Sequence, residues 1–497
     1  MSQTNGVLSS SVSEAQNEKE RSTDTRSTSA VFKSLVRGSG TAIVGGLVSQ
    51  ALKAVVLVVL ARSFSAAQFG AFSFASSVNA FLFIIAQFGL PVFGAREVSQ
   101  SGTVSHGLLR AVTGARLLLA VAGTVIALVI LRLSPGATRE EFWLVAGFGF
   151  SNVVLSWLYD WVFQGLGRLH LWALVNIVWQ GLWLALTIVD IHVKGSIVQV
   201  SFGYTVAAAA AALIGWLFVG RVGEERHAVA RLPAYSVRGV LKSGANLGAG
   251  TLLITILVWT DGIVVRFMDG QQAAGVYAAG NRISLALAML GSFYVLGAFP
   301  QLSSSAAAQS AEFSRYFQRA YEDLAFLFIP GSLWAIVYAP RIMMILFGRA
   351  DYLAGVVVFR IFQVVLLLSV FGNLYGMGAL VPYRRDHSYR KMLLVSGVVL
   401  LVLCPVFTLR WGPNGAALAA LISQMLILLL FIVEARDLVQ PDHVKALAFP
   451  VLVAVVPLLP GMVFHLGFWY SVPLLVLVYL AVVLWRQPVL RTRTVQG

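Results

Sequence analysis

Residues 38–94 read GSGTAIVGGLVSQALKAVVLVVLARSFSAAQFGAFSFASSVNAFLFIIAQFGLPVFG. Two apolar runs, about 38–61 and 71–94, flank a short polar break that begins at Arg62. Each run holds about 20 residues, enough for a helix to cross a ~30 Å hydrocarbon core. A membrane β-barrel would show ~10-residue segments of alternating polarity. This stretch is instead continuously apolar, so it predicts a helical hairpin in lipid.

The same pattern recurs along the chain. Further apolar runs lie at about 107–131, 143–163, 169–189, 197–219, 241–268, 275–300, 324–346, 354–381, 391–410, 414–433, 444–464 and 468–485. The hydrophobic fraction is 58% and the charged fraction only 11%, with a mean hydropathy of +0.82. A soluble surface of this size needs about a quarter of its residues charged. The expected fold is therefore an all-α polytopic membrane protein of about fourteen transmembrane helices. The single cysteine, Cys404, lies in an apolar run and forms no intrachain disulfide.

A net charge of +15 would suggest nucleic acid in a soluble chain. Here the cations cluster between the spans, where the positive-inside rule explains them. With both termini cytoplasmic, 24 Lys and Arg fall inside and 8 outside, Arg384, Arg385, Arg390 and Lys391 sharing one inner loop. Residues 1–34 are polar and predict a disordered cytoplasmic tail. The expected division is a six-helix lobe at 35–222, a cytoplasmic linker at 223–240, a second six-helix lobe at 241–435, and two extra helices with a short tail at 436–497. No loop has room for a soluble catalytic domain. Neither a GxxxxGK[ST] phosphate loop nor an HExxH motif occurs, so no cofactor or metal is expected.

The halves resemble each other. VVLARSFSAAQFGAF (58–72) matches VVRFMDGQQAAGVY (264–277), pairing Gly70 with Gly275 and Phe72 with Tyr277 at an offset of 205. GLPVFG around Pro91 matches GAFPQL around Pro300 at an offset of 209. Six spans per copy give both copies one orientation, as in parallel repeats related by an axis along the membrane normal. Such lobes face one another across a central cavity. Pro91, Pro300, Pro330 and Pro340 are candidate bends.

Ionisable groups inside spans are costly and usually face a cavity or a partner. Lys53, Arg282 and Arg360 are expected ~9–12 Å below the outer ends of their spans, at 1.5 Å per residue. Arg116 sits in the inner half of its span. Together they predict a cationic cavity for an anion, although Lys53 and Arg360 also suit snorkelling to the interface. Asp261 should stand level with Arg282 across a turn. It reads either as a structural ion pair or as an ion-coupled carboxylate that releases Arg282. Asp160 is a second gating candidate. Its neighbours Trp157, Tyr159 and Trp161 read as interfacial belt residues or as platforms for sugar rings.

The strings LARSFSAAQFGAFSFASSVNAFLFIIAQFGLPVFGAREV (60–98), DWVFQGLGR (160–168), TDGIVVRFMDGQQAAGVYAAGNRI (260–283), FPQLS (299–303), ILFGRADYLAGVVVFRI (345–361) and GPNGAALAALI (412–422) occur in an order that resembles bacterial polysaccharide flippases. These translocate O-antigen and exopolysaccharide repeat units and belong to the multidrug/oligosaccharidyl-lipid/polysaccharide exporter superfamily. The resemblance spans roughly residues 35–435. It implies two lobes, a bacterial cytoplasmic (inner) membrane location, and an undecaprenyl-diphosphate-linked oligosaccharide as substrate. Membrane lipids, a polysaccharide polymerase and assembly proteins are the implied partners, and nucleic acid is not. A peptidoglycan lipid-precursor flippase and a multidrug antiporter share the fold. The mainly cationic embedded charges disfavour the antiporter, and the short outer loops leave little room for an enzyme.

Overall fold

The computed structural model describes residues 44–224, 235–310, 312–463, 468–477 and 479–480. The expected 1–34 tail, most of the 223–240 linker and the chain beyond 480 lie outside the described residues. The helices are α1 (Val44–Ser63), α2 (Ala66–Gln87), α3 (Leu90–Ser101), α4 (His106–Leu133), α5 (Arg139–Leu155), α6 (Asp160–Gly165), α7 (Leu169–His192) and α8 (Ile197–Glu224). The second half follows as α9 (Val237–Ala307), α10 (Glu312–Val337), α11 (Ala339–Phe347), α12 (Val356–Tyr375), α13 (Asp386–Ala435), α14 (His443–Val463) and the short α15 (468–477).

Two of these helices are hairpins. In a straight helix Asp261 and Tyr277 would stand ~24 Å apart, yet the Tyr277 hydroxyl donates to Asp261 Oδ2 at 2.6 Å. The chain reverses at Gly270, whose φ of 88° and ψ of −177° suit a residue without Cβ. In α13, Ser396 Oγ donates to the Ser423 carbonyl at 2.7 Å across 27 residues, and Gly412 makes the turn at φ 56°. We call the arms α9a (237–269), α9b (271–307), α13a (386–411) and α13b (413–435). The two turns adjoin, because a Cβ on Gly412 would stand 3.2 Å from Asp269 Oδ2. That end is the far end; the end where α1 begins is the near end.

Among the described residues, nine helical segments are long and apolar enough to span a membrane. The hairpins α9 and α13 cross twice, and the 17-residue α5 with two shorter apolar stretches near the C-terminus completes the expected fourteen crossings. The protein is an all-α polytopic membrane protein. Its core contacts are helix-on-helix, and large apolar side chains such as Leu118, Ile126 and Val402 face outward, as lipid exposure requires.

Three expected spans are broken. The run at 71–94 is α2, ending at Gln87, then a turn through Phe88 and Gly89, both at positive φ, then α3. The run at 143–163 is α5, ending at Leu155, then a non-helical stretch, then α6. The run at 324–346 begins earlier, as α10 at Glu312, and stops at Val337 before α11. Its early start is amphipathic: Phe313, Phe317 and Tyr321 are buried beneath a charged face. Pro340 forces the later break because it supplies no N–H and clashes with the preceding turn.

The halves meet where α2 crosses α9b. A Cβ on Gly70 would lie 1.8 Å from the Gln271 carbonyl oxygen, and one on Gly275 would lie 1.9 Å from the Ala66 carbonyl oxygen. The two contacts are reciprocal at the offset of 205, as a two-fold axis between the helices produces. The repeat that pairs Gly70 with Gly275 in sequence thus brings them together in space.

Candidate functional site: a cavity between the halves

A cavity of about 470 Å³ opens between α1 and the second half of the chain. Lys53 enters from α1, Asp261 and Trp259 from α9a, Arg282 from α9b, Asn373 from the α12 span and Gln424 from α13b. At 1.5 Å per residue the three charged groups stand ~13–18 Å below the far ends of their helices. The cavity extends toward the near end, where Tyr389 and Phe431 complete its wall. Apolar side chains make most of the lining, so its few charges act in a low dielectric and are felt strongly by a ligand.

Arg282 is held from three directions. Its guanidinium lies 4.2 Å over the Trp259 ring. It donates to Ser77 Oγ at 2.9 Å and to the Ser73 carbonyl at 3.3 Å, both on α2. Ser77 and Arg282 again differ by 205, so this arginine bridges the halves at the pseudo-axis. Asp261 is not its hydrogen-bonded partner. That carboxylate accepts from Tyr277 at 2.6 Å and from its neighbour Gly262 N at 2.7 Å, and it acts on Arg282 only through space.

The other two expected cavity cations stand elsewhere. Arg116 is buried in the first half and donates to the Leu158 carbonyl at 2.8 Å. That carbonyl belongs to the break between α5 and α6, where the Val162 N–H turns instead to Tyr159. A buried carbonyl needs a donor, and Arg116 provides it. Asp160 lies within electrostatic reach of Arg116 and accepts from Trp161 N at 3.0 Å, at the start of α6. Arg360 is exposed and donates from Nε to the Ile336 carbonyl at 3.0 Å. In an unbroken helix that carbonyl would accept from the N–H of residue 340, which is a proline and has none. Neither arginine lines the cavity.

The aromatic trio separates in the same way. Trp161 is fully buried, packed on Gly94, and Tyr159 is buried with its hydroxyl beside Thr113. Trp157 is exposed. The three do not form one surface on which a sugar could stack.

The far end carries a second feature, absent from the sequence reading. Glu141 and Arg266 form a buried two-bond ion pair, with Nε to Oε1 and NH2 to Oε2, the latter at 2.8 Å. Arg266 also donates to the Gly136 carbonyl at 2.9 Å, and Gln271 Nε2 donates to Thr138 Oγ1 at 3.0 Å. Glu141 serves twice, since Thr138 and Glu141 form the capping box of α5. Phe69 packs edge-on against Tyr352 in the same region, and Arg62 donates to the last carbonyls of α11 at Ile345 and Leu346. These contacts close the far end between the halves. The only sequence signal was the TREE run at 138–141, which reads as an ordinary helix start.

The comparisons with known proteins agree with this architecture. The chain is 21% identical over 386 residues to the "Putative O-antigen transporter" of Escherichia coli (strain K12), covering 76% of this chain and 91% of that one. A solved structure of the lipid II flippase MurJ in an inward closed conformation superposes with a TM-score of 0.70 at 14% identity, covering 90% of this chain and 99% of that chain. An outward-facing multidrug resistance MATE family transporter of the MOP superfamily gives 0.52 at 18% identity, covering 84% and 96%. At such identities the two structures speak for the fold alone. The family model for polysaccharide biosynthesis proteins matches residues 35–306, more than half of the sequence, and the chain belongs to that family.

Proposed function

We propose that the protein moves a lipid-linked oligosaccharide, carried on a polyprenyl diphosphate, from the inner to the outer leaflet of the bacterial cytoplasmic membrane. The carrying observation is Arg282: a cavity cation that also ties the two halves together. In this reading the near end is cytoplasmic, both termini are inside, and the halves are lobes of residues 35–222 and 241–435 joined by the 223–240 linker. Lys53 and Arg282 receive the diphosphate, since an arginine fork and a lysine point charge suit clustered phosphate oxygens. Asn373 and Gln424 offer hydrogen bonds to sugar hydroxyls. The chain acts as a transporter and not as an enzyme.

The bonds of Arg282 to Ser73 and Ser77 supply the coupling. A diphosphate that draws the guanidinium away removes a contact between the lobes, so binding favours the rocking motion. A ligand shifts such an equilibrium only by its difference in affinity for the two states, and Arg282 provides that difference. The far-end contacts around Glu141 and Arg266 must then part for release.

The test is complementation of a bacterium that lacks its repeat-unit flippase. Wild type restores surface polysaccharide, and Arg282→Ala at equal membrane abundance does not. Restoration by the variant would remove Arg282 from the path. Acquired resistance to cationic drugs would instead mark a multidrug exporter.

A further inference from the structure

A second pocket, of about 390 Å³, lies at the far end between the last turn of α4 and the first turn of α5. Its lining carries Arg132, Arg139, Phe142 and Trp143, and it holds no carboxylate. Both arginines and Trp143 are exposed, and neither arginine appears in an ion pair among the described residues. Two like charges facing one concavity repel each other until an anion enters. The position is equally telling. Val129, Ile130 and Leu133 on the adjoining turn are exposed apolar side chains, which a span end covers with lipid tails. Trp143 therefore stands at the headgroup level, where indole rings collect. The pocket opens at the boundary between lipid tails and water.

We propose that this pocket binds the phosphate of an anionic lipid in the leaflet at the far end, with Arg132 and Arg139 donating to it and Trp143 seated beside it. Arginine forks match phosphate oxygens in pairs, and apolar Leu131 and Phe142 suit the glycerol and first methylenes. A free phosphate ion would gain nothing from those apolar walls. The site also touches the far-end closure. Thr138 lines the pocket and accepts from Gln271, and the same loop gives Arg266 its Gly136 acceptor. An occupied pocket thus steadies the 134–138 loop and favours the state closed at the far end. The proposal depends on the membrane fold and not on the transported substrate.

The test uses the purified full chain and native mass spectrometry with phosphatidylglycerol, phosphatidylcholine and inorganic phosphate as probes. Wild type retains one phosphatidylglycerol more tightly than any phosphatidylcholine, and excess inorganic phosphate does not displace it. The R132Q/R139Q double variant loses that lipid, its affinity falling at least ~10-fold for the two charged hydrogen bonds removed. Both residues are exposed, so the variant is expected to keep its Tm, and R315Q at the near end serves as the control that retains the lipid. Equal retention by wild type and double variant would overturn the proposal. So would equal retention of phosphatidylcholine, or displacement by inorganic phosphate, which would mark a site for free anions.

Discussion

At the scale of the residue, embedded cations divide by what they neutralise. Arg116 and Arg360 each serve a carbonyl that a helix break or a proline leaves without its N–H. Arg62 does the same at the end of α11. Arg282 has no such duty; it rests on an indole ring and on two acceptors of α2, within reach of the cavity. At the near end, outside the spans, Arg385 donates to Asp437 and holds that carboxyl below the usual carboxylate range. A depressed folded-state pKa contributes stability above the ordinary value of ~3.9 and loses it as pH falls through the lower folded value. Asp437→Asn should therefore unfold at a lower temperature than wild type at pH 7. The gap should close on acidification below the ordinary carboxylate range, in thermal melts of the detergent-purified protein.

At the scale of the element, the crossing of α2 and α9b depends on two positions without Cβ. Small residues permit close helix approach in membranes, and here each glycine faces the carbonyl of the other helix at a distance that excludes any side chain. Gly275→Val should force the crossing apart and cost ~1–3 kcal/mol, as overpacking does. The check is a lower Tm together with weaker function at equal expression. An unchanged Tm would mean the crossing is loose. Exposed Gly220, with nothing within 4 Å of its would-be Cβ, should tolerate Ala.

At the scale of the whole molecule, the halves are closed at the far end and leave a cavity nearer the middle. Buried ion pairs are weak evidence for stability but expensive to break from one side, ~3–5 kcal/mol. Glu141 and Arg266 thus suit a latch whose partners separate together. In a Cys404→Ala background, Thr138→Cys and Gln271→Cys joined by a short cleavable thiol-reactive linker should trap the far-end-closed state. Surface polysaccharide in the complementation assay should fall with linkage and return on cleavage. Undiminished activity in the linked protein would show that the far end does not open.

Membrane embedding, helix number and the internal repeat were legible in the sequence because they follow from local quantities: run length, the scarcity of charge, and glycines at a repeating offset. Gly70 and Gly275 could be paired from their strings alone. Partner choice is not local. Whether an arginine faces a cavity or an orphaned carbonyl depends on where another helix breaks, and Pro340 lies twenty residues from Arg360. Asp261 took Tyr277 over Arg282 because the chain reverses at Gly270, which leaves Asp261 nine residues from the turn, nearer the level of Tyr277 at seven than of Arg282 at twelve. The Glu141–Arg266 pair spans 125 residues and exists only where the two halves meet. Such contacts belong to the tertiary structure because burial makes each polar group take whichever partner the packing brings within reach.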